Sequence, residues 1–291
     1  MIQRLDEMLS DARNRKYAVP AFDVSNYEMI KAVIEVCEEE RSPALFMCLK
    51  ADMEKKGINF ITAMLKEAEE SYSVPICIHL DHATDMEDIK VAIDYGFSSV
   101  MYDGSTLPLS ENIIRTKEVV RYAHDKGVSV EAELGHVGNG LSGDKDGVGE
   151  DVQDDPQSVL TVPEDVEFFI DRTEVDALAV SVGTSHGVYR KTPQLAFDRL
   201  RQINDISKKP LVLHGGSGTP EGQLQKAIEL GICKINIYSE VLYAMNTGLK
   251  DKLNEINNLS MWPVYVFEEA NKRMRDVIRR KIRAYGSNGR V

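Results

Sequence analysis

The stretch HLDHATD, His79 to Asp85, gathers two histidines and two acids within seven residues. Such a cluster can be a metal site, an acid/base pair or an ordinary polar strand end. Two further histidines stand in comparable places, His186 in GTSHG and His214 in LHGGSG. His82, His186 and His214 each lie at or just past the C-terminal end of an apolar, strand-like run, so a shared sheet face would bring their side chains together. Three neutral imidazoles with one open position form the ligand set of a catalytic Zn²⁺ site. A single such histidine is more often a hydrogen-bonded polar group than a ligand, but the common placement favours ligation. Asp81 is the candidate base, because a carboxylate beside a metal can take and return a proton on a group held there. Glu133 and Asp103 each close a strand candidate at the same mouth, as further ligands or as partners of a ligand, or simply as solvated or capping acids. His79, two residues before Asp81 on the same strand face, lies deeper and takes a structural or supporting role. His124 falls in an exposed helix, and His136 opens a long loop from which it could touch substrate.

Glycines and hydroxyls surround the last two strand candidates, in HGGSG (His214 to Gly218) and NIYSE (Asn236 to Glu240). Backbone N–H groups in such turns approach an anion closely, and the helices that follow aim positive N-termini at it. GTSHG, Gly183 to Gly187, adds a third small-residue turn beside a candidate ligand. Metal and phosphate would then sit side by side.

Residues this far apart in the chain need a scaffold that brings strand ends together. Eight apolar runs qualify: YAVPAF, PALFMCL, PICIHL, SSVMYDG, VSVEAEL, DALAVSV, PLVLHGG and ICKINIY. Helix-length segments separate them. In Tyr27 to Glu39, Ile30, Val33, Ile34 and Cys37 repeat at i, i+3, i+4 and i+7, the stripe of a helix covering a sheet. Comparable segments run near 59–71, 86–95, 111–126, 163–172, 195–207 and 220–230. Eight β-α units in 291 residues predict an α/β fold, a TIM (β/α)8 barrel, as one domain over 1–291. The residues from Ser239 onward form a helical C-terminal extension that caps the barrel or makes oligomer contacts. The segment of about 136–160, rich in Gly and Asp, is too long for an ordinary βα connection and reads as a surface insertion or a catalytic-face loop.

Bulk composition narrows the partners. A formal charge of −12 with 28% charged residues argues against a nucleic-acid surface, which needs clustered Lys and Arg. No apolar run is long enough to span a bilayer, and the charged, helix-like N-terminus does not read as a signal peptide. Four cysteines in apolar runs without CxxC spacing indicate buried reduced thiols and a cytoplasmic protein.

These motifs resemble the class II, zinc-dependent ketose-bisphosphate aldolase family, which includes fructose- and tagatose-bisphosphate aldolases. HLDHA, SSVMYDGS, VEAELG, VGTSHGVY, PLVLHGGSG and GICKINIYSE stand in family order between about Tyr17 and Arg290. The resemblance implies His82, His186 and His214 as Zn²⁺ ligands, or ligands of another divalent metal, and Asp81 as the acid/base. It places Gly187, Gly215, Ser217, Asn236 and Ser239 around the phosphate of the three-carbon half, with Glu133 near the metal and Asp103 a less close match. The implied reaction is reversible cleavage of a ketose 1-phosphate or 1,6-bisphosphate to dihydroxyacetone phosphate and an aldehyde. A homodimer or homotetramer is expected, and a monovalent cation is a further candidate cofactor. The chain departs from the family at Asp23, where Asn is common, and at His136, Lys191 and Tyr238-Ser239, so the aldehyde half is less defined than the donor half. A Schiff-base aldolase would need a lysine as electron sink. Lys50 and Lys234 lie near barrel strands, but neither explains three converging histidines. A zinc-dependent hydrolase on the same barrel, or a non-catalytic aldolase-like partner subunit, are the alternatives.

Overall fold

The computed structural model describes residues 2–139, 160–187 and 192–291. Its strands are β1 (Val19–Asp23), β2 (Ala44–Cys48), β3 (Ile76–Ala83), β4 (Ser99–Tyr102), β5 (Ser129–Leu134), β6 (Gly138–Asn139), β7 (Ala177–Val180), β8 (Ser185–His186), β9 (Leu211–Leu213) and β10 (Ile232–Ile237). The helices are α1 (Leu5–Arg15), α2 (Tyr27–Glu40), α3 (Lys50–Met53), α4 (Gly57–Ser71), α5 (Met86–Asp94), α6 (Leu109–His124), α7 (Pro163–Thr173), α8 (Phe197–Ile206), α9 (Glu221–Glu229), α10 (Ser239–Glu255), α11 (Pro263–Val266) and α12 (Glu268–Ala284).

Strands β1, β2, β3, β4, β5, β7, β9 and β10 close into a parallel barrel in chain order, with β10 returning to β1. This is a TIM barrel, and each of the eight strand candidates in the sequence supplies one of its strands. Closure follows from burial on both faces. Outward residues such as Phe22, Phe46, Ile78, Val100, Val130, Leu178, Leu213 and Ile235 pack under the helices, and burying a side chain of this size contributes about 1.5–3 kcal/mol. Local signals set the helix starts: the Asn26 side chain accepts from the Met29 N–H at 2.9 Å to begin α2. Asp85, the second acid of HLDHATD, does the same for α5 with the Glu87 N–H.

The interior is filled from below by α1, whose Leu5, Met8, Leu9 and Ala12 lie against Val19, Ala21, Leu45, Met47, Cys77, Ala177, Ala179, Val212 and Cys233. The helical extension wraps back on the barrel: α12 packs on α10, α2 and β1. Arg279 and Arg283 of α12 pair with Glu39 and Glu40 of α2 at 2.6–3.3 Å. Of the loop expected at about 136–160, only its first four and last residues fall among those described. Its opening residues form β6, which pairs in parallel with β8 with the Asn139 and His186 backbones in register. Among the described residues no helix is long and apolar enough to cross a membrane.

Candidate active site

Strand alternation sends every second side chain into the barrel, and at the C-terminal end those side chains are polar. On β3, Cys77, His79 and Asp81 face inward; on β5, Ser129, Glu131 and Glu133 do so; β10 contributes Lys234 and Asn236. All but Cys77 are buried polar or charged groups. Regular alternation would turn His82, next to Asp81, toward the helices. Instead His82 adopts a left-handed backbone, φ 47°, and the β3–β4 register shifts between Leu80 and Ala83. Such a bulge re-aims a side chain at a site's rim, at a local conformational cost. Asp81 and His82 therefore both face the mouth, with Asp81 Oδ2 3.8 Å from His82 Nε2.

His82, His186 and His214 each place one ring nitrogen within 4.8 Å of the others. A second group, His82, Asp103 and Glu133, converges equally closely and shares His82. His82 Nδ1 lies 2.8 Å from Asp103 Oδ2; His214 Nε2 lies 2.9 Å from Glu131 Oε1. The opposite nitrogens, His82 Nε2 and His214 Nδ1, are buried without a hydrogen-bond partner. Glu133 Oε2 is only 3.0 Å from His214 Nδ1, yet neither atom makes a hydrogen bond there. Buried lone pairs left open on rings whose other nitrogen is backed by a carboxylate fit a divalent cation held by imidazoles.

Electrostatics divide the rings: burial keeps His186 neutral, while on His82 and His214 the neighbouring carboxylates outweigh burial and raise the imidazole, so a cation there must displace a proton. Burial lowers the His186 imidazole to about 3, with His82 and His214 adding to the effect, so His186 stays neutral and able to ligate. Burial also opposes charge on His82, but Asp81 and Asp103 outweigh it and raise the ring to about 10. Burial would raise the Asp81 carboxyl; His82 and Lys234 reverse this and hold it below the ordinary range. Asn236 Nδ2 donates to Asp81 Oδ1 at 3.3 Å. Asp23, at the end of β1, is buried with Oδ1 unpartnered, and burial together with Asp81 pushes its carboxyl well above the usual value.

The glycine turns converge beside this cluster. Gly216 N donates to the Asn236 carbonyl at 3.1 Å, while Ser217 Oγ accepts from Tyr238 N at 3.2 Å and Glu240 N at 3.4 Å. Gly218 N donates to Glu240 Oε1 at 2.7 Å. Ser239 is the first residue of α10, and Gly187 follows His186 with φ 84°. The glycines also have a packing role: a Cβ on Gly215, itself at φ 68°, would meet the Ser185 carbonyl at 2.4 Å, and one on Gly216 would strike Ile235 and Asn236. HGGSG is thus held tightly between β8 and β10.

His79 lies beneath the cluster, fully buried, with Nδ1 2.8 Å from Ser99 Oγ. His124 ends α6, partly exposed and bonded to Asp176 at 2.8 Å. His136 Nδ1 meets Ser105 Oγ at 3.0 Å. Lys191 lies outside the described residues. Lys50 pairs with Asp88 at 2.7 Å and Lys234 with Glu131 at 2.8 Å. Sequence reasoning missed Glu131. Its signal was present: in VEAELG it stands two residues before Glu133, which puts it on the same inward face one layer deeper.

A closed parallel barrel with its polar cluster at the C-terminal strand ends defines the (β/α)8 enzyme class. Within that class, the family model described as fructose-bisphosphate aldolase class-II matches residues 3–290, and the chain belongs to this family: it is an aldolase, a carbon–carbon lyase. The crystal structure of the YdjI aldolase from Escherichia coli K12 is 32% identical with a TM-score of 0.86, covering 99% of each chain. A proposed fructose-1,6-bisphosphate aldolase from Coccidioides immitis is 33% identical, TM-score 0.84, covering 98% of this chain and 97% of that one. The fructose-bisphosphate aldolase of Campylobacter jejuni, 21% identical over 100% and 97% of the chains, shares the fold with a TM-score of 0.81.

Proposed function

We propose that this aldolase is zinc-dependent and cleaves a phosphorylated ketose, a ketose 1-phosphate or 1,6-bisphosphate, reversibly to dihydroxyacetone phosphate and an aldehyde. The observation that carries the proposal is the pairing of Asp81 with His82, His186 and His214 at one strand-end cluster. In this reading the three histidines hold the metal, with Asp103 orienting His82 and Glu133 available as an alternate ligand. Bound there, the cation supplies a Lewis acid for the ketose carbonyl and its neighbouring hydroxyl.

The protein's own groups do the rest. Asp81, kept ionised by its cationic surroundings and oriented by Asn236, removes the proton of the C4 hydroxyl. The C3–C4 bond then breaks, its electron pair remaining with the three-carbon half, and the aldehyde leaves. Return of a proton to C3, balanced by the one Asp81 took from the C4 hydroxyl, completes dihydroxyacetone phosphate and restores the carboxylate. Gly187, Gly215, Ser217, Asn236 and Ser239 surround the phosphate of that half at the start of α10, whose helix dipole favours an anion, and a monovalent cation is a candidate helper there. The chain functions as one catalytic domain. Its free, buried cysteines suit a reducing cytoplasm, and a homodimer or homotetramer completes the proposal.

The test is release of dihydroxyacetone phosphate from a panel of ketose 1-phosphates and 1,6-bisphosphates, run untreated, after chelation and after added Zn²⁺. Zinc-restored release from one panel member is the expected result. Release that persists through full chelation would remove the metal from the proposal; no release from any member by the zinc-loaded protein would remove the substrate class.

A further inference from the structure

Below the three histidines lies a column of charge whose only part in catalysis as outlined above is the field of Lys234 on Asp81. Lys234 and Glu131 are both fully buried, and Lys234 Nζ donates to Glu131 Oε2 at 2.8 Å. The other carboxylate oxygen, Oε1, is 2.9 Å from His214 Nε2. On the far side of the same ring, Glu133 Oε2 approaches Nδ1 to 3.0 Å without making a hydrogen bond, while Glu133 Oε1 is engaged by the Val137 N–H at 2.9 Å.

Two carboxylates thus flank one imidazole, and a neutral imidazole has a single N–H to give. If the proton sits on Nε2, the Nδ1 lone pair faces His82 and His186; if it sits on Nδ1, that nitrogen is spent on Glu133. We infer that the Lys234–Glu131 pair is a positioning device that keeps the His214 proton on Nε2 and so reserves Nδ1 as a metal ligand, an inference that rests on the zinc site proposed above. Lys234 sets the direction: a pure donor bound to one oxygen leaves the other as the acceptor for His214.

This polarity makes a sharp test possible. In Glu131→Gln the amide carbonyl must turn to Lys234, because an ammonium cannot accept. The amide NH₂ then faces His214 Nε2, which has to accept, and the ring proton moves to Nδ1. In Glu131→Gln/Lys234→Met nothing demands the carbonyl, so the amide rotates, accepts from Nε2–H and frees Nδ1 again. Zinc affinity, measured by competition with a chromophoric chelator, should fall about 10–100-fold in the single variant and recover most of that loss in the double variant. A purely structural or electrostatic role gives the same order, because Glu131→Gln alone leaves the buried Lys234 ammonium without its counter-charge. ¹⁵N-histidine spectra of the two variants separate the readings, since only the positioning device moves the His214 proton to Nδ1 in the single variant and back to Nε2 in the double.

Unchanged affinity in Glu131→Gln, or no recovery in the double variant, overturns the inference. A wild-type chain that binds no stoichiometric Zn²⁺ overturns the zinc reading itself. If the variants do not fold, zinc-loaded wild type labelled with ¹⁵N-histidine decides the matter. The His214 ring, assigned by its loss in His214→Gln, should carry its proton on Nε2; a proton on Nδ1 refutes the device.

Discussion

The two ends of the barrel interior are built from the same strands and filled in opposite ways. Toward the N-terminal end, β1, β3 and β10 meet α1 through Val19, Cys77, Cys233 and, from the helix, Leu5 and Leu9. One to four residues further along, β1, β3 and β10 carry Asp23, His79, Asp81, Lys234 and Asn236, and β5 carries Glu131 and Glu133, equally hidden from water. The lower end gains from each apolar group removed from solvent. At the upper end each buried charge costs free energy unless it is paired. The difference teaches that a barrel can separate its stability from its chemistry along the strand axis, because the helix plug makes the lower layers sufficient to hold the strands in register. The upper layers can then leave ring nitrogens and carboxylate oxygens without protein partners.

Four substitutions or conditions would break or sharpen this division. Asp81→Ala should lower the cleavage rate by about 10²–10⁴-fold, the range for a lost acid/base group, with the melting temperature and bound metal little changed; steady-state kinetics with metal analysis would check it. A rate near wild type would end the assignment. Leu9→Ala, in the plug, should do the reverse, costing about 2–5 kcal/mol of stability through lost burial and a cavity, with KM and metal content preserved. Denaturant unfolding followed beside activity would detect any failure of the separation.

Metal affinity should also depend on pH in a set direction. In the metal-free protein His82 keeps its proton up to about 10 because Asp81 and Asp103 outweigh burial, so a cation arriving at neutral pH must displace it. Affinity should therefore rise with pH through the range from 6.5 to 8.5, by about tenfold per unit for one displaced proton. Chelator competition at several pH values measures the slope, and a flat profile would exclude His82 as the titrating ligand. The smallest effect belongs to the outside of the barrel. Arg275 of α12 pairs with Glu35 and Glu39 of α2, and Arg275→Ala should cost less than about 1 kcal/mol, diminishing further in salt, with turnover unchanged.

Much of this division was readable in the chain before any fold was known. Apolar runs at regular spacing specified eight strands and the helices between them, because the requirement to bury two strand faces and one helix stripe leaves a periodic trace in residue type. Histidines and acids at the ends of those runs marked the mouth, since a strand's end is fixed by its own length and composition. HLDHATD itself held two answers: Asp81 points into the mouth, and Asp85 caps α5.

Three features were decided only by the tertiary structure. The left-handed turn at His82 depends on a register shift against β4, which one strand's residues do not encode. The placement of His186 depends on β6 and β8 pairing across 46 intervening residues. Glu131 acquired its significance only when β9 and β10 brought His214 and Lys234 to its two oxygens, 83 and 103 residues away in the chain. Local sequence determines which way a side chain faces and how deep it lies. Which partners meet it there is a property of barrel closure, because hydrogen bonds act over about 3 Å and only the closed barrel sets distances at that scale.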